Sequence, residues 1–232
     1  PERLDNDARD AYAALDTDLS LVMAYGHIFK QDFIDTARLG TVNLHTSILP
    51  AYRGASPIQT AVAMGESETG VSLMRIVRAL DAGPVADCEH VKIDQRDTAL
   101  EVESKLSAAC VPLVRRNLAA LASGELVFHE QEQAAATFCR RLVKADGGID
   151  FSATATALAA RINGLFPWPA AVVPINGQVI KIGLATAEAG AAVLGEVSSA
   201  DKDGLVIGTG EGLLRLHKLQ RSGAKMLPAG EF

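Results

Sequence analysis

Along this 232-residue chain the apolar positions switch between a helical spacing and short unbroken runs. Ala8, Tyr12 and Leu15 recur at intervals of three and four within residues 5–17, which predicts an amphipathic helix. Leu19-Ser20-Leu21-Val22-Met23-Ala24 follows as a run of the kind that buried strands make. Phe33 to Leu39 predicts a short helix stopped by Gly40, and Thr41-Val42-Asn43-Leu44-His45 a second strand. The alternation then repeats. Ser56-Pro57 opens a helix through Met64, with Pro57 suited to its first turn and Gly65 stopping it, and Gly70 to Val77 reads as a third strand. Val102, Leu106, Ala109, Leu113 and Leu118 give one face to a long helix from Ala99 to Leu121. Strands and helices in alternation imply an α/β domain with a mainly parallel sheet covered on both faces.

After Gly124 the pattern changes. A polar stretch including Gln131-Glu132-Gln133 reads as a linker over residues 125–137, separating a first domain of residues 1–124 from a second of residues 138–232. The second domain offers one helix, Thr154 to Leu165, ended by Phe166-Pro167-Trp168-Pro169. Short segments follow, separated by the turn signals Asn176-Gly177, Asp203-Gly204 and Gly210-Glu211-Gly212. Many short strands with Gly-rich turns predict a small barrel, and Trp168 between its prolines is expected to pack in a core.

Composition narrows the class. With 48% hydrophobic and 22% charged residues the chain is an ordinary globular protein. Cys88, Cys110 and Cys139 are too few and too far apart for a disulfide framework or a paired-cysteine metal site, and they fit a reducing cytoplasm. No run of eighteen apolar residues and no secretory leader pattern follows Pro1, so no membrane association is expected. His27, His90, His129 and His217 lack metal-ligand spacing, and no metal is expected.

The net charge of -6 argues at first against a nucleic-acid partner, but it is uneven. Residues 1–137 carry 12 Lys/Arg against 20 Asp/Glu, and residues 138–232 carry 10 against 8. Arg215, Lys218, Arg221 and Lys225 fall in an acid-free stretch from Leu213 to Gly230, which fits a phosphate-contacting face or a solvated, lysine-protected edge strand.

The densest chemical signal is Asn43-Leu44-His45-Thr46-Ser47-Ile48-Leu49-Pro50. Side chains alternate along a strand, so Asn43 and His45 share one face with Leu44 opposite. An amide donor beside a titratable imidazole can stabilise a developing oxyanion. Leu80-Asp81-Ala82-Gly83-Pro84 supplies a carboxylate just beyond the third strand. Each motif alone is equally a capped strand end or an ordinary turn.

Together, Asn43-x-His45, Ser47-Ile48-Leu49-Pro50 and Leu80-Asp81-Ala82-Gly83 resemble, in order and spacing, the motifs of the folate-dependent formyltransferase family. Arg53-Gly54-Ala55-Ser56-Pro57-Ile58-Gln59 is similar to the branch acting on methionyl-tRNA, as are Phe138 to Phe151, Phe166 to Ala170 and Leu219-Gln220-Arg221-Ser222-Gly223. Gly83-Pro84 instead matches the glycinamide branch.

The resemblance implies a Rossmann-like catalytic domain followed by an OB-like C-terminal β-barrel. It also implies an opening strand, loop and helix, roughly a quarter of the family's usual length, that these residues do not include. The implied reaction moves the formyl group of 10-formyltetrahydrofolate to the α-amine of initiator methionyl-tRNA. Asn43 and His45 would stabilise the oxyanion, and Asp81 would hold the charged imidazole and relay a proton. Tyr25, Gly26, Ile28, Ser47, Ile48, Leu49, Pro50 and Leu80 would line the folate site. Arg215, Lys218, Arg221 and Lys225 would contact tRNA, with no obligate protein partner. A sugar-amine formyltransferase, a formyl-folate hydrolase and a non-catalytic binding fragment are the alternatives.

Overall fold

The computed structural model describes residues 4–175 and 177–232. In chain order its elements are α1 (Asn6–Ala13), β1 (Ser20–Val22), α2 (Gln31–Ile34), β2 (Thr41–His45), β3 (Arg53–Gly54), α3 (Pro57–Ala63), β4 (Glu68–Arg75) and β5 (Val85–Lys92). There follow α4 (Ala99–Ser123), β6 (Phe138–Cys139), α5 (Ala155–Leu165), β7 (Ala171–Ile175), β8 (Gln178–Glu188), β9 (Val197–Asp201), β10 (Gly204–Gly208), β11 (Leu213–Arg221) and β12 (Leu227–Pro228). They fall into two compact units. One comprises Pro1–Pro57, Thr69–Val91 and Lys105–Arg140, and the other Ile58–Glu68, Lys92–Ser104 and Arg141–Phe232.

The first unit is built on a sheet of order β1-β2-β4-β5. β1 runs parallel to β2, with Val22 opposite Asn43, while β2 and β4 are antiparallel, with His45 opposite Ser72. Only residues 76–84 join β4 to β5, too few for a parallel crossover, so the chain turns straight back and the Arg75 N–H donates to the Pro84 carbonyl at 2.9 Å. The sheet is therefore mixed, with parallel and antiparallel neighbours. Val42, Leu44, Val71 and Leu73 are buried in it.

Three expectations change here. Among the described residues the apolar run around β1 is partly exposed, Leu21 at 46% and Met23 at 43%, with β1 outermost of the four described strands. The helix expected over Phe33 to Leu39 is a single turn, Gln31–Ile34. On α4 the buried stripe passes through Asn117 rather than Leu118, since 117 and 121 continue the i, i+4 spacing from Leu113. Asn117 is accommodated by donating from Nδ2 to Asp87 Oδ2 at 2.6 Å and to the Leu113 carbonyl at 2.9 Å. The neighbouring Arg116 guanidinium, bonded to the same carboxylate, holds the Asp87 carboxyl below its ordinary range. β5 gave no apolar pattern in the sequence, and of its residues only Val91 is buried.

The second unit carries a sheet of order β7-β8-β11-β10-β9, with β12 added on β11, and its pairings are antiparallel. Leu158 and Ile162 of α5 share a core with Val173, Ile180, Ile182, Ile207, Leu214, Leu216 and Leu219. Thr154 caps α5 by accepting from the Ala157 N–H. Asp203-Gly204 forms the β9–β10 turn, where the Asp201 side chain accepts from both backbone N–H groups. Asn176 of the expected Asn176-Gly177 turn lies outside the described residues. Trp168 is not a core residue: it is 55% exposed, while Ala170 and Ala171 beside it are buried.

One buried amide closes this unit. Asn163 of α5 donates to the Ala185 carbonyl at 3.0 Å and accepts from the Ala185 N–H at 2.9 Å. Asn163→Leu would leave both β8 groups buried without partners. Each unsatisfied group costs about 1–3 kcal/mol, so a clear drop in the melting temperature is expected by calorimetry. An unchanged melting temperature would mean that water replaces the amide.

Candidate active site

Elementary strand geometry sets the first half of the site. On β2, Leu44 turns into the core and Asn43 and His45 face the other way, Asn43 half-buried and His45 6% exposed. The imidazole meets acceptors on both sides. Its Nε2 lies 3.2 Å from the Tyr52 carbonyl and its Nδ1 3.8 Å from Asp81 Oδ2, an ion-pair contact rather than a hydrogen bond. Only the doubly protonated ring can donate toward both; the neutral ring must turn a lone pair to one of them. Among the described residues the Asn43 amide makes no side-chain hydrogen bond, which leaves it available to a ligand.

Asp81 arrives from the β4–β5 connection in the left-handed region, with φ +49°, a conformation that Asp tolerates better than most residues and that its surroundings hold here. Two contacts do so. The Gly54 N–H donates to Asp81 Oδ2 at 2.8 Å, and Gln131 Nε2 donates to the Asp81 carbonyl at 2.8 Å and the Gly83 carbonyl at 2.7 Å.

The Ser47-to-Pro50 loop leaves the end of β2. Ser47 is fully buried and its hydroxyl donates to the Ala51 carbonyl at 2.6 Å, so this side chain shapes the loop. Ser72 on β4 holds the same loop, donating to the Ser47 carbonyl at 2.7 Å and accepting from the Leu49 N–H at 3.1 Å. Ile48, Leu49 and Pro50 are half-buried.

The Tyr25–Ile28 segment leaves β1 just beyond Val22, the partner of Asn43, so both loops start from the same end of the parallel pair. Gly26 has φ +70°. Tyr25 packs 5.1 Å from the His27 ring and 5.5 Å from Phe29, and lines a groove of about 340 Å³ with Leu21, Met23, Phe29 and Phe33. Ile28 and Leu80 are exposed.

The basic stretch does not act as one patch. Arg215 is committed to Glu188 and, at 3.0 Å, to Asp201. Arg221 donates to the Phe232 carbonyl at 2.8 Å and lies over its ring, yet remains exposed, as do Lys218 and Lys225. A bulge between Leu216 and Lys218 shifts the phase of β11, and this turns Lys218 outward while Leu219 stays buried. His217 lies between, its imidazole pushed down by burial and bonded to Thr186, so it adds no positive charge at neutral pH.

Tyr52, Ser72 and Gln131 carry the site's geometry without having been picked out in the sequence, and Arg53 stood there only as part of a family motif with no role at the site. Gln131 sits in a stretch whose composition reads as a linker and has no local signature. Among the described residues no three His, Cys, Asp or Glu side chains come together as a metal-binding group, and no helix is long and apolar enough to cross a membrane.

Comparison with known proteins places this arrangement. The chain is 40% identical to a methionyl-tRNA formyltransferase of Pseudomonas fluorescens over 95% of its own length and 70% of that relative's. Among solved structures it superposes on HypX from Aquifex aeolicus, in complex with tetrahydrofolic acid, with a TM-score of 0.75 at 17% identity, over 97% of this chain and 40% of that one. On WlaRD, a sugar 3N-formyltransferase solved with 5-N-formyl-THF, the TM-score is 0.73 at 18% identity, over 92% of this chain and 77% of that one. The formyl transferase family model matches residues 1–114 and its C-terminal domain model residues 141–232. This chain, with Asn43, His45 and Asp81 around the end of its parallel strand pair, therefore belongs to the formyl transferase family.

Proposed function

We propose that this chain transfers the formyl group of 10-formyltetrahydrofolate to the α-amine of methionine esterified to initiator tRNA. The observation that carries the reading is the carboxylate-backed imidazole of His45 next to an amide, Asn43, that nothing in the described fold engages. The folate supplies the activated formyl carbon. Asn43 Nδ2 and the His45 ring donate to the negative charge that develops on the formyl oxygen, where charge-assisted bonds are strongest. The Nε2–H serving that oxygen is held by the Tyr52 carbonyl until ligand enters, at 3.2 Å a long bond and therefore displaceable. As the amine nitrogen bonds the formyl carbon and the C–N10 bond of the folate breaks, Asp81 keeps the ring oriented and relays the proton lost by the amine, through water, to the departing N10. Ile48, Leu49 and Pro50, with Ser47 shaping their loop, form one wall of the folate site. Tyr25, Gly26, Ile28 and Leu80 form the other.

For the tRNA, Lys218, Arg221 and Lys225 are the cations exposed to phosphate, whereas Arg215 supports the sheet. Replacing the three exposed residues with Ala should flatten the salt dependence of tRNA binding by up to about 0.9 log unit per lost duplex contact, and Arg215→Ala should lower thermal stability instead. Filter binding across a salt series separates these, and equal slopes would remove the stretch from the tRNA site. The reaction itself is tested by formyl transfer to charged initiator tRNA, to an amino sugar nucleotide and to water in parallel. Transfer confined to either of the last two would refute the tRNA assignment.

A further inference from the structure

The buried Arg53 guanidinium is the molecule's least explained charge. It is 3% exposed and forms no ion pair among the described residues; Nε and Nη2 donate to Gln131 Oε1 at 3.0 and 2.6 Å, and Nη1 to Gln133 Oε1 at 3.0 Å. Burying a cation against neutral amides and the Phe138 ring, 6.0 Å away, is costly, since no counter-charge offsets its desolvation. The chain therefore places it there for something other than stability.

The Gln131 amide shows what. Its oxygen accepts the fork of the guanidinium, and its nitrogen gives both hydrogens to the loop at Asp81 and Gly83. A cation pulling on the amide oxygen polarises the group and strengthens both donors. Meanwhile Gly54, next to Arg53, donates to the Asp81 carboxylate. Arg53 thus borders both ends of the grip on Asp81.

We propose that Arg53 is a positioning residue that acts through Gln131 to hold Asp81 against His45. The proposal rests on Asp81 being catalytic, as argued above, but its first readout does not depend on activity. In Gln131→Glu the carboxylate gives Arg53 a better partner while losing both hydrogens that hold the loop. Hydrogen exchange of backbone amides then reads the loop directly. The Gly54 amide, whose acceptor is Asp81, should exchange at least about tenfold faster, while Arg53 and Ala55, bonded to the Thr137 and Cys139 carbonyls, stay protected. In the transfer assay kcat should fall about tenfold or more with both KM values little changed, while the ion pair that the new carboxylate makes with Arg53 offsets the two carbonyls left without a donor and the fold is kept.

Unchanged Gly54 exchange would overturn the proposal. A wild type without formyl transfer would refute the proposed function and leave the exchange result standing for the tie between Gln131 and the Asp81 loop. Gln131→Met, uncharged and of similar length, is read the same way should Gln131→Glu not fold, and loss of folding in both would assign the tie to the fold and overturn the proposal.

Discussion

Asn43→Ala and His45→Ala are each expected to lower kcat for formyl transfer by about 10²–10³, the usual cost of removing one preorganised donor from a developing oxyanion. The two differ in stability. The Asn43 amide has no side-chain partner among the described residues, so its loss should leave the melting temperature nearly unmoved. His45 is buried and holds the Tyr52 carbonyl, so its removal opens buried space and leaves that acceptor with the weaker Cys139 thiol contact at 3.4 Å, at a cost of about 1 kcal/mol or more. Measuring turnover and thermal unfolding on both variants separates chemistry from folding. If Asn43→Ala kept near wild-type kcat, the amide would not be an oxyanion donor, and the proposed mechanism would lose its central group.

Gly54→Ala should have the other large effect, through the backbone. Gly54 has φ +124°, where an L side chain is strained, and a Cβ there would lie 2.1 Å from the Cys139 carbonyl oxygen. Either β3 separates from β6 or the peptide rotates, and rotation takes the N–H away from Asp81. Strain of this kind costs about 1–3 kcal/mol, with overpacking adding a similar amount. A fall in melting temperature of several degrees is expected, together with a loss of kcat of about tenfold or more as Asp81 loses its hold. A stable Gly54→Ala protein with full turnover would show that neither the β3–β6 contact nor the grip on Asp81 matters to the reaction.

The elements that the sequence made legible were those whose pattern is local. Alternation over five residues was enough for β2, and it placed Asn43 and His45 on one face. Pro57 and Gly65 bounded α3, and Thr154 capped α5, because caps and breakers act within a turn. The turns pointed to a small barrel, and the described strands form an antiparallel sheet of order β7-β8-β11-β10-β9. Where neighbours decide, the pattern misled. Trp168 reads as core but is exposed, since burial depends on which surface covers a residue and not on the residue itself.

The chemistry divides in the same way. It was the family resemblance of three ordered motifs, each ambiguous alone, that named Asn43, His45 and Asp81 as a set, and the fold brings His45 within 3.8 Å of Asp81. The sequence alone also grouped Arg215 with Lys218, Arg221 and Lys225, and only cross-strand pairing with Glu188 and Asp201 separates it from them. The grip on Asp81 belongs wholly to tertiary structure. Gln131 meets Asp81 across fifty residues and Arg53 across seventy-eight, and a side-chain amide can do this only when the fold brings two carbonyls and a guanidinium within 3 Å of it. No local rule marks such a residue, because the contacts that define it exist only once the chain has closed around it.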